Sequence, residues 1–532
     1  MAQHKVTDHA ATAKRDNGSA KKDAPTPPDA AGNVKDPAHG IVDTKGITVK
    51  KAEDMPEWYS QVCVKAQVAD YSPIKGCMVI RPLGFSLWQS IQDRFNAMLK
   101  EDKVENAYFP LFIPESFFSR EAEHAEGFKP EVAWVQNKDD AKERFAIRPT
   151  SETIIYDSYG RWIRSWRDLP LRINQWANIV RWEVQDVKLF LRSREFLWQE
   201  GHCVYETADE CHKETLHYLE RYRQIAEEFL AIPVILGKKS EREKFAGAIA
   251  TYTIETLMPD GKALQLGTSH DLSQGFAKAF NISFQGRTGE QELPWQNSWG
   301  ISTRMVGALI LEHGDDRGLI LPPMIAPHKV AVVPILFEKE KEAIVKAAEE
   351  IGRLLKEHDP IVDTRDEYTS GWKFNEYELK GVPVRVEVGP KDIAKRQAVV
   401  VRRDTGKKEF VPLEKLKARV ASLLEEIQRG LFDRARERIE QNIVLAKDFK
   451  EFERAIRDRK MLFVPHCGDK DCEFVIKEKT AATARCIPLS PEQHEVHQSK
   501  QEAKRHATPA KGAVCIHCGK PAKYNAYFSR NY

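Results

Sequence analysis

Residues 178–202 read NIVRWEVQDVKLFLRSREFLWQEGH, two short extended runs on either side of a polar connector. Residues two apart on a strand share a face, so the first run would project Arg181 and Glu183 to one side. By the same rule the second run would project two aromatic rings, an acid and an imidazole: Phe196, Trp198, Glu200 and His202. An antiparallel hairpin would place the two rows side by side. Such a surface is a poor core and a good binding surface for a charged, planar ligand.

The spacing of these residues is R-x-E, a loop, then R-x-x-x-F-x-x-x-E, carried by Arg181, Glu183, Arg192, Phe196 and Glu200. It resembles motif 2 of the class II aminoacyl-tRNA synthetases, and RSREFLWQEGH resembles the form found in the prolyl-tRNA synthetase family. R-x-E alone fits a surface hairpin with paired charges equally well. Matching segments recur in the right order over residues 49–532, which favours the resemblance.

The composition is that of a large soluble protein. The chain has 532 residues, 42% hydrophobic and 30% charged, with a net charge of +3. That slight charge argues against bulk electrostatic capture of nucleic acid, although a local basic groove is compatible with it. There is no apolar run near the ~20 residues needed to span a bilayer, and no apolar core of a signal peptide. We therefore expect a cytoplasmic protein without a membrane partner.

Changes of character along the chain predict four parts. Residues 1–48 lack a hydrophobic period and predict a disordered extension, either a solvated spacer or a weak RNA- or partner-binding tail. For residues 49–324 the resemblance implies the class II catalytic domain, an antiparallel sheet flanked by helices. Strand–helix alternation over residues 325–430 predicts a small mixed or parallel α/β domain, similar to the anticodon-binding domain of this subclass. Residues 431–532 are expected to form a small α+β zinc-binding domain.

Two features of these parts point to partners. An amphipathic helix over residues 85–100, followed by a strand closed at Phe109-Pro110, resembles motif 1, which builds the two-fold dimer interface in class II synthetases. The resemblance therefore implies a homodimer. In the anticodon-like domain, the stretch SGWKFNEYELKG with Arg385 and Lys391 combines aromatic rings and cations, a composition that suits single-stranded RNA bases.

The amino-acid pocket is predicted around RPTSE, where Thr150 and Glu152 would point the same way if the segment is extended. A helix N-cap at Thr150 or Ser151, with Glu152 in the first turn, is the alternative. The family resemblance implies a proline-binding set of Thr150, Glu152, Arg181, Trp198, His202, Phe245 and His270. It implies an ATP-binding set of Arg181, Glu183, Arg192, Phe196, Gln265, Thr268, Ser302 and Arg304.

Arg304 begins a predicted helix, as the arginine of the class-wide motif 3 does. The glycine-rich part of that motif is replaced here by Trp299-Gly300-Ile301-Ser302, a departure that the prolyl enzymes share.

The implied reaction is that of a proline--tRNA ligase. Proline and ATP form prolyl-adenylate and pyrophosphate, and the prolyl group then passes to tRNA(Pro). Thr150 and Glu152 would accept the two N–H donors of the proline ammonium, and Arg181 would be the catalytic residue that bridges carboxylate and α-phosphate. Mg2+ is expected with the triphosphate, with Glu183 and Glu200 as conceivable ligands. The alternatives are a non-catalytic tRNA-binding paralogue and a threonyl or histidyl enzyme.

Two cysteine pairs near the C-terminus suggest one tetrahedral zinc site. Cys467 and Cys472 are five apart, and Cys515 and Cys518 form C-x-x-C. The archaeal and eukaryotic type of prolyl enzyme carries a zinc module in this place and ends in tyrosine, as this chain does. Cys486, His466 and His517 remain competing ligands.

The interval between His202 and Trp299 is shorter than 100 residues. Bacterial-type prolyl enzymes hold a large hydrolytic editing domain there, and this chain has no room for one.

Overall fold

The computed structural model describes residues 46–117, 131–138, 142–489 and 505–532, and the backbone of two short strands further upstream. These strands, β1 (Val34–Asp36) and β2 (Gly40–Val42), pair antiparallel within the unit Met1–Lys45, and Gly46–Tyr532 forms the other unit. The rest of the predicted extension lies outside the described residues. Within the described part, no helix is long and apolar enough to cross a membrane.

The catalytic part combines a large sheet with helices packed on both of its faces. Its helices are α1 (Met55–Lys65), α2 (Pro82–Glu101), α3 (Glu152–Trp162), α4 (Ala208–Gln224), α5 (Gly275–Ala279) and α6 (Arg304–His313). A 3-10 turn spans Trp166–Asp168, and a π-helical turn, Ile225–Phe229, continues α4.

The strands of this part are β3 (Ala69–Tyr71), β4 (Met78–Ile80), β5 (Glu105–Asn106), β6 (Phe112–Pro114), β7 (Trp134–Val135), β8 (Phe145–Ile147), β9 (Leu171–Val180), β10 (Glu195–Tyr205), β11 (Ile235–Lys238), β12 (Ala250–Leu257), β13 (Ala263–Ser273), β14 (Phe284–Gln285), β15 (Gln291–Glu292) and β16 (Trp295–Ser302). The main sheet runs β11-β12-β13-β16-β10-β9-β5, antiparallel except where β5 joins β9. This is the predicted antiparallel sheet flanked by helices.

One face of the sheet is an aromatic core. Trp299 of β16 stacks on Tyr218 of α4 with ring centroids 3.8 Å apart, and Phe95 of α2 contacts the same indole edge-on. Trp299 lies opposite Gly201 of β10 in the strand register. A β-carbon at Gly201 would stand 2.2 Å from the indole ring, so only glycine permits this approach. The opposite face of β10 carries Glu200 and His202 at the cavity, and next to them Val204 belongs to an apolar cluster with Tyr156 and Tyr159 of α3.

The hairpin predicted from residues 178–202 exists, with one correction. β9 and β10 are antiparallel and Ile179 pairs with Phe196, so the predicted row on β10 shares one face. Arg181 and Glu183, however, do not lie on a strand, because β9 ends at Val180 and the chain turns. The backbone N–H of Arg181 still donates to the carbonyl of Arg194 at 2.7 Å, which closes the hairpin ladder just before the turn.

The anticodon-like domain is a mixed α/β unit. Its strands are β17 (Val330–Pro334), β18 (Ile361–Val362), β19 (Val384–Val388), β20 (Gln397–Arg402) and β21 (Lys408–Pro412). Its helices are α7 (Lys341–Leu354), α8 (Ser370–Leu379), α9 (Pro390–Ala394) and α10 (Leu413–Gln441), with 3-10 turns at Glu338–Glu340 and Lys356–His358. In the order β18-β17-β19-β20-β21, β17 is parallel to both of its neighbours, and β20 and β21 are antiparallel.

The C-terminal part contributes β22 (Ile443–Val444), β23 (Met461–His466), β24 (Thr483–Pro488), β25 (Tyr524–Ser529), α11 (Phe449–Arg457) and α12 (Lys470–Thr480). Its strands run β22-β23-β25-β24, and β24 then pairs antiparallel with β11. The catalytic and C-terminal strands therefore form one 11-stranded sheet. Helix α10 passes through residue 430, where the predicted anticodon-binding and C-terminal parts meet.

Candidate active site

A cavity of about 240 Å³ opens on the polar face of the sheet, over β10, β13 and β16. Every predicted proline- or ATP-binding residue lines it except Glu183 and Arg192. The predicted residues on its wall are Thr150, Glu152, Arg181, Phe196, Trp198, His202, Phe245, Gln265, Thr268, His270, Ser302 and Arg304. These residues, from six separate stretches of chain, are thus brought to one place.

Thr150 and Glu152 meet, but not on a strand as the first interpretation required. Glu152 opens helix α3, with Ser151 as an N-cap whose side chain makes no capping bond. The Thr150 hydroxyl donates directly to the Glu152 carboxylate. Burial raises the pKa of Glu152; His202 opposes that shift and Glu200 adds to it. An arriving cation would therefore find a buried acceptor that gains from being neutralised.

The floor of the cavity is a buried hydrogen-bond network centred on Glu200. One of its oxygens accepts from Ser151 Oγ at 2.5 Å and from Gln175 Nε2 at 2.8 Å, and the other faces His202 Nε2 at 3.1 Å. His202 Nδ1 in turn lies 3.0 Å from the hydroxyl of Tyr156. Both oxygens of Glu200 are thus engaged by the protein, so the structure does not favour Glu200 as a magnesium ligand.

Gln175 and Ser151 are functional candidates that the sequence reasoning missed. Gln175 also accepts from the backbone N–H of Phe109 at 2.5 Å, and so ties the cavity floor to the motif 1 segment. Gln175 carries no motif signal, and Ser151 was considered only as a helix cap within RPTSE. Gln175 lies opposite Glu200 because β9 pairs with β10 in this register, whereas Ser151 reaches Glu200 from the start of α3.

Arg181 enters the cavity from the turn after β9. Its guanidinium lies 5.6 Å from the ring centre of Phe196 and 5.9 Å from that of Trp198, within cation–π reach of both. Its Nε is 3.5 Å from the carbonyl oxygen of Pro149. Burial lowers its pKa, and the acids Glu183, Glu152 and Glu200 act in the opposite sense. The guanidinium is therefore held by rings and one carbonyl, and its charge is available to a ligand.

Arg304, the first residue of α6, is held by backbone carbonyls. Nε donates to Leu191 at 3.3 Å and Nη1 to Gln265 at 3.1 Å. Burial, with the nearby charge of Arg181, lowers the pKa of Arg304 to about 10. Two cations close enough to perturb each other mark this end of the cavity as a site for anions.

At the other end of the cavity, the hydroxyl of Thr251 contacts two of the predicted proline-pocket residues, Phe245 and His270. Thr251 Oγ1 accepts from the backbone N–H of Phe245 at 2.9 Å and lies 3.0 Å from His270 Nδ1. The rings of Phe245 and His270 are 4.7 Å apart. Burial lowers the pKa of His270 to about 3, so the imidazole is neutral at physiological pH. Thr251 is a further residue that no motif indicated.

The departure from motif 3 has a structural reason. Along β16, Trp299 and Ile301 are buried in the core, whereas Gly300 and Ser302 are partly exposed at the cavity. Gly300 lies opposite Thr268 of β13 in the register. The segment therefore serves both faces of the sheet, and α6 begins at Arg304 as predicted.

Glu183 and Arg192 are the two predicted ATP residues that stand apart. Both side chains are exposed and neither lines the cavity. They flank the connector between β9 and β10, in which the backbone groups of Arg192 and Lys188 bond each other in both directions. Their roles stay predictions.

The cysteine pairs of the C-terminal part converge. Cys518 Sγ lies 3.6 Å from Cys467 Sγ, and Cys472 Sγ lies 3.7 Å from Cys515 Sγ. Four sulfurs at ~2.3 Å from a tetrahedral zinc would be separated by about 3.8 Å, and both of these pairs are close to that separation. Burial raises the pKa of Cys467 to about 11, so binding a metal must displace protons.

Of the three competing ligands, only Cys486 lies apart from the thiols. The ligand atoms of His466, Cys467, Cys472 and Cys515 all lie within 4.8 Å of one another, a set that leaves out Cys518. His466 Nδ1 accepts from the backbone N–H of Gly468 at 3.0 Å, and its buried Nε2 has no hydrogen-bond partner among the described residues. His517 Nδ1 is 3.3 Å from Cys472 Sγ. Cys486 instead packs in a different apolar cluster, beside Tyr527 and Leu257.

The antiparallel sheet, the two arginines over one cavity and the helix that begins at Arg304 define a class II aminoacyl-tRNA synthetase. Residues 132–313 match the family described as "tRNA synthetase class II core domain (G, H, P, S and T)", and residues 329–423 match "Anticodon binding domain". Residues 449–532 match "Prolyl-tRNA synthetase, C-terminal". The last match separates the chain from the other amino-acid specificities that share the core.

Individual relatives agree. A "Proline--tRNA ligase" from Acetoanaerobium sticklandii is 47% identical over 490 residues, 90% of this chain and 97% of the relative. A "Proline--tRNA ligase 2" from Clostridioides difficile is 46% identical over 91% of this chain and 97% of the relative. The crystal structure of prolyl-tRNA synthetase from Cryptosporidium parvum, complexed with halofuginone and AMPPNP, superposes with a TM-score of 0.84 at 40% identity, covering 92% of this chain and 98% of that one. The chain belongs to the prolyl-tRNA synthetase family, with the activity of a proline--tRNA ligase, which decides against a threonyl or histidyl enzyme.

Proposed function

We propose that the cavity over β10, β13 and β16 binds proline and ATP together and forms prolyl-adenylate between them. The supporting observation is that one cavity holds opposite charges at its two sides: the Glu152 carboxylate with the Thr150 hydroxyl at one side, and the two cations Arg181 and Arg304 at the other. Proline needs an acceptor for its ammonium, whereas ATP needs cations for its phosphates. The arrangement meets both needs.

At the proline side, Glu152 and Thr150 accept the two N–H donors of the secondary ammonium. Trp198, His202, Phe245 and His270 enclose the ring. His202 is held by Glu200 and Tyr156, and burial lowers the pKa of His270 to about 3, so the His270 imidazole does not compete with the ammonium as a cation at neutral pH.

At the ATP side, Arg181 bridges the proline carboxylate and the α-phosphate. As charge builds on the pentacovalent phosphorus, a preformed guanidinium stabilises it. The nucleophile is already an anion, so the step needs no general base. The new bond joins a carboxylate oxygen to the α-phosphorus, and pyrophosphate leaves with the electron pair of the broken P–O bond.

The remaining ATP contacts follow from the lining. Phe196 and Arg304 sandwich the adenine, and Gln265, Thr268 and Ser302 meet the polar groups of the nucleotide, with Arg192 closing on the outer phosphates from the connector. Mg2+ accompanies the triphosphate and offsets its charge.

Transfer to tRNA(Pro) would use the second domain for recognition. A cavity of about 700 Å³ lies beyond the carboxyl ends of the parallel strands β17 and β19. Its lining includes apolar groups, two lysines and three acids: Phe337, Pro390, Lys339, Lys391, Glu338, Glu340 and Asp392. Ligands of α/β sheets bind at this edge. Within the predicted stretch on α8, Lys373 and Tyr377 are buried partners of Asp363 and so are less suited to RNA than Lys391.

Two further elements support the enzyme rather than the chemistry. A structural zinc would be held by Cys467, Cys472, Cys515 and Cys518, and it would supply folding free energy to the C-terminal part.

Two copies would associate through the motif 1 segment, where Tyr108 and Phe112 are 69% and 47% exposed on either side of Pro110. Large apolar side chains exposed together mark an interaction surface. We place the enzyme in the cytoplasm.

The test is proline-dependent exchange of pyrophosphate into ATP, first against a panel of amino acids. Glu152→Gln keeps the shape of the side chain and removes its charge, and it should raise the KM for proline on the order of 10-fold or more, since a hydrogen bond to a charged group is worth ~1.5–3 kcal/mol. Glu210→Gln is the matched control, because Glu210 is also in the first turn of a helix but lies outside the cavity. An unchanged KM for proline in Glu152→Gln would remove the assigned role.

A further inference from the structure

Behind the proline walls lies a buried group of three charges that the proposed chemistry does not use. Lys239, Glu255 and Arg485 are each 4% exposed or less. Lys239 and Glu255 belong to the catalytic part, whereas Arg485 lies on β24 of the C-terminal part. Lys239 also lines the active-site cavity. The group therefore spans the junction between the two parts and reaches the site.

Both oxygens of the Glu255 carboxylate accept hydrogen bonds from the two cations of this group. Arg485 donates to both oxygens of Glu255 at 2.9–3.1 Å, and Lys239 Nζ donates to one of them at 2.6 Å. Lys239 Nζ also donates to the backbone carbonyl of Arg485 at 2.9 Å. Arg485 and Lys239 together lower the pKa of Glu255 despite its burial, so the carboxylate stays charged.

From Lys239 the contacts continue to the proline walls. The backbone N–H of Lys239 donates to the carbonyl of Thr251 at 2.8 Å. The hydroxyl of Thr251 is the group that accepts from the Phe245 backbone and bonds His270 Nδ1. A displacement of Lys239 would therefore reach both rings of the proline pocket through one residue.

Strand pairing also connects the C-terminal part to Lys239. β24 pairs with β11 through Gly237 and Lys238, immediately before Lys239. A β-carbon at Gly237 would lie 2.5 Å from Cβ of Cys486, so the two backbones are in close contact there. The position of Lys239 is thus set on one side by strand pairing and on the other by the carboxylate that Arg485 holds.

We infer that Arg485 is a positioning residue for the proline site: the C-terminal part, through Arg485, Glu255 and Lys239, sets the position of Thr251 and hence of Phe245 and His270. The inference rests on the proposed function, since it assumes that these two rings enclose proline. It makes the C-terminal part a contributor to amino-acid binding rather than an appended module.

The charge balance of the group allows a clean test. Arg485→Met leaves Lys239 and Glu255 as a neutral pair, and Lys239→Met leaves Glu255 and Arg485 as one, so neither variant strands a lone buried charge. Arg485→Lys keeps the charge and loses the bidentate contact. Arg438→Met is the matched control, because Arg438 joins α10 to the buried Glu312 at 2.6 Å and to the carbonyl of Leu257 but does not line the cavity.

The measurement is exchange kinetics on the full-length, metal-loaded protein, with KM for proline and for ATP determined separately, alongside the melting temperature and the zinc content. Arg485→Met and Lys239→Met should raise the KM for proline by about fivefold or more, the lower end of typical coupling between sites. The KM for ATP and the metal content should stay near the wild-type values, and Arg485→Lys should recover part of the loss. Arg438→Met should lower the melting temperature without changing the KM for proline.

The result that overturns the inference is a KM for proline in Arg485→Met no larger than in Arg438→Met, or an equal rise in both KM values. If Arg485→Met does not fold, an unchanged KM for proline in Lys239→Met overturns it as well. These outcomes differ from a failure of the proposed function, in which Glu152→Gln would bind proline normally while the wild-type protein remains active.

Discussion

Replacement of Arg181 by alanine separates a catalytic role from a structural one, because its contacts in the protein are weak. The guanidinium touches two rings at 5.6 and 5.9 Å and one carbonyl oxygen at 3.5 Å. A cation–π contact at an accessible site is worth about 0.5–1 kcal/mol. Removing the side chain should therefore cost no more than about 2 kcal/mol of unfolding free energy, and relief of the repulsion with Arg304 offsets part of that.

The expected loss of activity is much larger. A preformed donor to charge that develops in the transition state is worth about 3 kcal/mol, a factor on the order of 100 in kcat/KM. The assay is proline-dependent pyrophosphate exchange, with urea denaturation of the same preparation to measure stability. Activity should fall by this factor while the protein stays folded at the assay temperature.

Arg194→Ala is the control for this experiment. Arg194 lies on the same hairpin, donates to the carbonyl of Val184 at 3.0 Å and covers the ring of Trp182 at 4.7 Å, yet it does not line the cavity. Its loss should cost similar stability and little activity. If Arg181→Ala retains exchange within about 3-fold of Arg194→Ala, the transition-state stabilisation assigned to Arg181 is wrong.

Four further outcomes are expected. Metal analysis should find one zinc per chain, and Cys515→Ser should lose it and lower the melting temperature of the C-terminal part, whereas Cys486→Ser should retain the metal. Sedimentation at micromolar concentration should give the mass of two chains, and Phe112→Asp should shift the mass toward one chain; a single-chain mass for the unmodified protein would refute the dimer. Burial lowers the pKa of His313 from 6.5 to about 4, so between these pH values the unfolded chain binds a proton that the folded chain does not. The unfolding free energy should therefore fall as pH drops from 6.5 toward 4, by at most ~1.4 kcal/mol per pH unit for this group. His313→Gln should show a shallower fall. Alanine and cysteine should be activated at a detectable level because one methylene discriminates by only ~1–3 kcal/mol, and preformed alanyl-tRNA for proline should be hydrolysed no faster than in buffer; faster hydrolysis by pure protein would reveal an editing site.

The family could be predicted from its sequence motifs, and the resemblance to that family implied most of the residues of the cavity wall. A period of two on β10 puts Phe196, Trp198 and His202 on one face whatever the rest of the chain does. A helix that begins at Arg304 follows from the residues around it. The pairing of the four thiols, together with the family resemblance, suggested a metal site, and the sulfurs lie close in two pairs.

The errors arose where local rules gave two answers. Arg181 was expected on a strand, but the end of β9 depends on where its partner β10 begins. For Thr150 and Glu152 the sequence left an extended segment and a helix start open, and the structure has the helix start, which brings the hydroxyl to the carboxylate. In both cases the functional groups reach the cavity from the end of a strand or the start of a helix, which the period of a strand does not predict.

What only the tertiary structure decided are the contacts between residues far apart in the chain. Gln175 under Glu200, Thr251 between Phe245 and His270, and Arg485 against Glu255 carry no motif, and each arises from strand pairing across the sheet. The sequence by itself determined the class of enzyme, its substrate and the residue types at the site, because ligand chemistry restricts those positions directly. The supporting network was not readable, since many polar pairs can satisfy a buried hydrogen bond and only the register of the folded sheet selects which two meet.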